Sequence, residues 1–287
     1  MNVLEPPSSV APTSDGDFAA WLAERAGRLL LRVRAEHGHD DPAALKRAGD
    51  QASHHLLRDE LARHRGTDAV LSEEDDDARR AWADGTAGAA PDRLGADRVW
   101  IIDPLDGTRE FSEPGRSDWA VHVALWARTA ATEHRLVAGA VALPAQHRTL
   151  GTENPPPRPA APDGRTIRLA ASRSRPPAFL TELAEEVGAE LVPMGSAGAK
   201  IAAVVGGEVD AYVHAGGQYE WDSAAPVAVA TATGLHASRI DGSALRYNEA
   251  DPRLPDLVVC RPELAEPLLA ALRRHLSLVP ATTTAAG

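Results

Sequence analysis

The apolar run Val99-Trp100-Ile101-Ile102 passes without a break into Asp103-Pro104-Leu105-Asp106-Gly107-Thr108. Four bulky apolar residues in succession read as a strand buried on both faces, as in a layered α/β core. Such a strand has to end where its two carboxylates are compensated, because buried charge without a partner is expensive. Two other segments end the same way. Ala69-Val70-Leu71 leads to Glu73-Glu74, and Trp221-Asp222 precedes an alanine-rich stretch with helical spacing. Three acidic ends of apolar segments can converge on one metal cluster, since carboxylates hold hard divalent cations.

The rest of the chain supplies the layers. Residues 1–16 mix Pro, Ser and Asp and read as a disordered tail. Phe18, Trp21, Leu22, Leu29 and Val33 recur at helical spacing over 17–36, and Leu56, Leu57 and Leu61 mark a second helix over 51–65. From Ala69 to Leu150 the pattern is strand-like: Trp119, Val121, Val123 and Leu125 alternate with Ala120, His122, Ala124 and Trp126. The proline-rich stretch Asn154 to Pro159 reads as a linker. Beyond it, strands over 167–171, 189–192 and 209–214 alternate with helices over 177–187, 197–205 and 223–233. The expectation is an N-terminal α+β lobe (17–152) carrying most metal ligands. A C-terminal α/β lobe (166–287) would complete the active site and the substrate pocket.

Composition narrows the partners. The formal net charge of −11 argues against a general nucleic-acid binder, while leaving room for a small anionic substrate held through bound cations. Cys260 is the only cysteine, so neither an internal disulfide nor a thiolate metal site is expected. No apolar run approaches the ~20 residues that span a membrane. The N-terminus carries no signal-peptide pattern, and a cytoplasmic protein is expected.

A lone Asp-x-x-Asp is common in solvated turns, but the buried-strand pattern before it and the Gly-Thr after it favour a metal-phosphate site. Mg²⁺ takes one or two carboxylates together with water and phosphate oxygens. Two such ions about 4 Å apart could clamp an in-line displacement, with Asp103 bridging them and the Leu105 carbonyl adding a ligand. The N–H groups of Gly107 and Thr108 would hold the phosphate if a helix starts there. Asp75 to Asp77 read as a solvated loop, and Asp222 also fits a helix N-cap. His54, His55, His122 and His214 show no metal-ligand grouping and read as core or surface residues.

Taken together, Glu73-Glu74, the Asp103–Thr108 hexapeptide and Trp221-Asp222-Ser223-Ala224-Ala225 resemble the inositol monophosphatase superfamily in order and spacing. The resemblance covers residues 17 to 270. It implies a layered αβαβα sandwich and lithium-sensitive, Mg²⁺-dependent hydrolysis of phosphate monoesters with two or three ions. It assigns Glu73, Asp103, the Leu105 carbonyl, Asp106 and Asp222 to the metals. Thr108 and Glu74 would orient and deprotonate the attacking water, assisted by an upstream acid. The family's Val-Thr-x-x-Asp segment is replaced by Lys46-Arg47-Ala48-Gly49-Asp50-Gln51. Asp50 therefore takes the role of the upstream acid, with an N-cap as the alternative.

Arg109-Glu110-Phe111, Ser172-Arg173-Ser174, Gly195-Ser196 with Lys200, and Glu220 are similar to the 3'(2'),5'-bisphosphate nucleotidase branch. That branch implies 3'-phosphoadenosine 5'-phosphate as substrate, AMP and phosphate as products, and a link to sulfate assimilation. Lys200 or Arg173 would meet the second phosphate, with Ser196 and Glu220 beside the substrate; an exposed helix lysine is the plainer alternative for Lys200. An isologous homodimer is common enough among proteins to expect, though the sequence shows no interface signal, and no membrane or nucleic-acid polymer is expected as partner. The neighbouring alternative keeps the mechanism and takes inositol phosphate or fructose 1,6-bisphosphate. A phospho-aspartate phosphatase would need its two aspartates two apart rather than three. A calcium-stabilised interaction module would bind metal without turnover.

Overall fold

The computed structural model describes residues 10–75, 92–130, 133–161, 164–174 and 176–278. Two long helices open the chain, α1 (Asp15–His37) and α2 (Pro42–His64). Ser14 Oγ accepts the Asp17 N–H at the start of α1, so the ordered chain begins before residue 17. Asp41 caps α2 in the same way, and Pro42 occupies its first turn. That start lies nine residues before the one expected from the apolar pattern, because Ala-rich first turns carry little periodic signal. Asp76 and Asp77 lie outside the described residues.

The first sheet has the order β1 (Ala69–Ser72), β2 (Arg98–Asp106), β3 (Ala120–Ala130), β4 (Glu133–Leu143) and β5 (Arg148–Gly151). β1 runs parallel to β2, and the remaining pairs are antiparallel. α3 (Thr108–Ser112) follows β2 directly. The second sheet holds β6 (Ile167–Ser172), β7 (Ala189–Met194), β8 (Ala211–Ala215), β9 (His236–Ser238) and β10 (Asp256–Cys260), in the order β7-β6-β8-β10-β9. Its helices are α4 (Leu180–Val187), α5 (Ala197–Val205), α6 (Glu220–Ala232) and α7 (Pro262–Leu278).

Three apolar clusters define the layers. Phe18, Leu22 and Leu30 of α1 and Leu57 and Leu61 of α2 pack on Trp100, Ile102, Val121 and Val123, on one face of the first sheet. The opposite face presents Val99, Ile101 and Ala124 to the alanines of α5 and α6. Those helices also cover Tyr212, Leu257 and Val259 of the second sheet, whose far face (Leu169, Val213, Val258, Cys260) is closed by α4 and α7. The result is the αβαβα sandwich. The run Val99–Ile102 is apolar throughout because its residues face two different helical layers.

Candidate functional site

In a regular strand, residues three apart point to opposite faces. Asp103 and Asp106 would then diverge. The β2–β3 register prevents this: Asp103 faces His122 while Asp106 faces Ala120, so β2 carries one extra residue at a β-bulge. Pro104, which has no N–H for the ladder, lies within it. The bulge resets the alternation and turns both carboxylates toward the middle helical layer. There Asp222, in the first turn of α6, meets them, with one oxygen from each of Asp103, Asp106 and Asp222 within 4.8 Å of the others. Glu73, just past β1, joins through a hydrogen bond with Asp103.

The charges are strongly perturbed. Burial, then the charges of Glu73, Asp106 and Asp222, raise Asp103 well above the ordinary carboxylate range. Burial and Asp222 push Glu73 up to about 8, and burial and Asp106 push Asp222 up to about 7. Asp106 is the exception. Burial would raise it, but His122, the Ser196 hydroxyl and the Gly198 N–H bring it down to about 2. Four clustered carboxyl groups repel one another, and the nearby donor set is hard oxygen. This chemistry fits a divalent cation of the Mg²⁺ type.

Asp106 also ties β2 to the start of α5. Its oxygens accept from the Ser196 hydroxyl and from the N–H groups of Ala197 (3.2 Å) and Gly198 (2.6 Å), at the start of α5. Gly107, with φ of 83°, makes the turn from β2 into α3, and Thr108 Oγ1 donates to the Leu105 carbonyl at 3.2 Å. Asp50 is not a cap. It lies well inside α2 and adds to the field that raises Glu73. One turn on, Ser53 Oγ donates to the Pro104 carbonyl at 2.7 Å, a contact that sequence reasoning missed. Glu74 is half-buried in the turn after β1, where its charge acts on both Glu73 and His54.

A cleft of about 630 Å³ opens over this cluster, lined among others by Asp106, Thr108, Ser196, Lys200, Tyr212 and Asp222. Lys200 corrects the exposed-lysine alternative. It is buried, and its ammonium donates to the carbonyls of Gly195 (3.1 Å) and Ser196. Burial lowers its pKa. Arg173 lies at the rim, 3.2 Å from Asp118 and 3.8 Å from Glu110.

Glu220 does not line the cleft. Its carboxylate accepts the N–H groups of Asn248 (2.6 Å) and Glu249 (2.8 Å), and burial brings its pKa up to about 7. Expected beside the substrate, Glu220 instead lies outside the cleft lining and holds the backbone of residues 248–249 against α6. Asp222 is likewise not an N-cap: α6 starts at Glu220, and Asp222 accepts the Tyr219 N–H at 2.7 Å from inside the first turn.

His122, expected in the core or at the surface, is a core residue with charged neighbours. It is fully buried, with Nε2 3.3 Å from Asp106 Oδ2 and Nδ1 3.0 Å from the Trp221 carbonyl. Burial favours its neutral form, yet the contact with Asp106 and its charge raise the pKa overall. The signal was available: one ionisable residue in an otherwise apolar alternation.

Known proteins are similar to this chain in sequence and fold. A family model described as the inositol monophosphatase family matches residues 17–277. The 3'-phosphoadenosine 5'-phosphate phosphatase of Mycobacterium bovis is 52% identical over 249 residues, covering 86% of this chain and 89% of that one. The protein of the same name from Mycobacterium leprae is 49% identical over 269 residues, 92% and 95% of the two chains. The 3'(2'),5'-bisphosphate nucleotidase CysQ of Escherichia coli is 27% identical over 255 residues, 80% and 93% of the two. Among solved structures, Mycobacterium tuberculosis SuhB superposes with a TM-score of 0.66 at 25% identity, over 91% and 96% of the chains. Inositol monophosphatase II of Staphylococcus aureus gives 0.71 at 19%, with the same coverage.

Proposed function

The chain belongs to the inositol monophosphatase family, and on that premise we propose that it hydrolyses the 3'-phosphate of 3'-phosphoadenosine 5'-phosphate, giving AMP and phosphate. The observation that carries the chemistry is the convergence of Asp103, Asp106 and Asp222 at the floor of a polar cleft large enough for a nucleotide. The substrate rests on relatives of that name at 52% and 49% identity. The same reading places the enzyme in sulfur metabolism, removing a by-product of sulfate transfer.

Glu73, Asp103, the Leu105 carbonyl, Asp106 and Asp222 would hold two Mg²⁺ ions, with Asp50 beside a third. Bound there, the ions would neutralise the phosphoryl oxygens and make water a better nucleophile. The protein groups do the rest. Thr108, whose hydroxyl already points at the Leu105 carbonyl, orients the attacking water, and Glu74 takes its proton, assisted by Asp50. The N–H groups of Gly107 and Thr108 face the phosphate. Lys200 keeps one of its three ammonium donors for the substrate, the other two being held by Gly195 and Ser196. It supplies positive charge opposite the second phosphate. Arg173 reinforces it from the rim, and Ser196 borders the sugar.

The test is phosphate release from 3'-phosphoadenosine 5'-phosphate, inositol 1-phosphate and fructose 1,6-bisphosphate in parallel, with and without Mg²⁺ and with added lithium. Preferred turnover of the nucleotide, dependent on Mg²⁺ and blocked by lithium, is the expected result. Turnover confined to a sugar phosphate would keep the metal chemistry and overturn the substrate.

A further inference from the structure

His122 is an ionisable side chain that the metal and phosphate roles above leave unused. It is the third residue of β3, directly across from Asp103 on β2. Its strand neighbours on the same face, Ala120 and Ala124, pack against the alanine-rich middle layer. An imidazole in that setting needs a partner at each nitrogen, or its burial is unfavourable. Nδ1 is 3.0 Å from the Trp221 carbonyl, which can only accept, so Nδ1 donates. Nε2 faces Asp106 Oδ2 at 3.3 Å, and Nδ1 is also 4.0 Å from Asp103 Oδ2.

The space around the ring is reserved for it. A Cβ on Gly198 would sit 2.0 Å from Nε2 and 3.1 Å from Asp106 Oδ2. Only glycine lets the start of α5 come this close. One ring therefore touches the carboxylate of β2, the backbone one residue before Asp222, and the first turn of α5. Two of these elements carry the converging carboxylates, and the third holds Asp106 in place.

We propose that His122 is a positioning residue for metal binding: it holds Asp106 and the Trp221-Asp222 step at the spacing a divalent cation requires. Partners of metal-ligating carboxylates typically account for 10–100-fold in metal affinity. The inference rests on the carboxylate cluster being the metal site, and the experiment separates the two. Binding of Mn²⁺ to the full-length protein is followed by electron paramagnetic resonance of the free ion, alongside thermal unfolding of the metal-free protein.

His122→Leu removes both contacts. His122→Gln can place an N–H near the position of Nε2, whereas His122→Asn reaches only the position of Nδ1. The expected result is a Mn²⁺ dissociation constant raised about 10–100-fold in the Leu and Asn variants, with the Gln variant closer to wild type. The Asn–Gln pair keeps the test decisive if the Leu variant fails to fold. Unchanged Mn²⁺ binding in the Asn variant, or equal weakening in Asn and Gln, would overturn the positioning role. Wild-type protein that binds no Mn²⁺ would overturn the metal site itself, and this inference with it.

Discussion

The floor of the cleft and its rim obey different physics. At the floor, Asp103 and Asp106 are 1% and 7% exposed, and each is held by backbone or side-chain partners. At the rim, Arg109 and Arg173 have side chains 63% and 40% exposed, paired with Glu113 and with Asp118 and Glu110. Exposed pairs of that kind contribute roughly 0–1 kcal/mol and rearrange easily. A buried carboxylate with fixed partners cannot follow a substrate, but it needs no reorganisation when charge develops beside it. The floor should therefore set the rate and the rim the affinity. Size does not distinguish a site here. A larger cleft of about 930 Å³, beside Trp126, His134 and Val137, has none of the clustered carboxylates found among the described residues.

The sharpest break of this contrast would come from Asp103→Asn. Losing several kcal/mol of charge stabilisation predicts a fall in kcat of about 10²–10³-fold or more. The metal-free protein should be no less stable, since one member of a mutually repelling set is gone. Steady-state kinetics and calorimetry check both halves, and near-normal turnover would remove Asp103 from the metal site. Gly198→Ala comes next. The added methyl would collide with His122 Nε2 at 2.0 Å, so a loss of about 1–3 kcal/mol in stability is expected. A weaker response to Mg²⁺ should accompany it. Chemical denaturation and a metal titration would show whether the floor is as tightly packed as drawn.

Proton linkage offers a middle-sized test. Glu73 titrates at about 8 and Asp222 at about 7 in the folded, metal-free protein, against roughly 4 in an unfolded chain. Across that interval the folded form binds more protons, so stability falls as pH rises from about 5 to 8. Saturating Mg²⁺ should abolish that part of the slope. Glu220, with its pKa at about 7 and outside the carboxylate cluster, contributes the same sign and should persist. Melting temperature against pH, with and without Mg²⁺, reads both contributions. A slope indifferent to Mg²⁺ would move the metal elsewhere.

The smaller effects lie toward substrate. Lys200→Ala should raise KM for the bisphosphate about tenfold, the effect of one charge-assisted hydrogen bond of ~1.5 kcal/mol. KM for a monophosphate nucleotide should change less, and equal changes would remove Lys200 from the second phosphate. Glu220→Gln should leave KM within about twofold. It should lower stability by roughly 1–3 kcal/mol, because an amide cannot accept both N–H groups that the carboxylate holds. A large KM effect there would return Glu220 to the substrate and blur the division between floor and rim.

Much of this was legible in the chain. Apolar runs ending in acids marked the strand ends, and the alternation of strand and helix patterns marked the layers, because burial imposes its period on sequence locally. The carboxylates that converge were legible as residue types for the same reason. Helix starts were not: α2 and α6 begin nine and three residues before their expected starts, since capping and Ala-rich turns leave weak patterns. Asp50 and Asp222 thereby read as possible caps, although both lie inside their helices.

What the sequence alone determined is which residues end buried elements with charge, a local matter of hydrophobic period and residue type. What only the tertiary structure decided is which way those charges point. The extra residue at the β2 bulge turns Asp103 and Asp106 to one side. His122 gains its role only because β3 lies beside β2 and α5 and α6 cover both. Lys200 is buried rather than exposed because α5 is sandwiched between two sheets. Direction and burial depend on partners distant in the chain, and no local pattern encodes them.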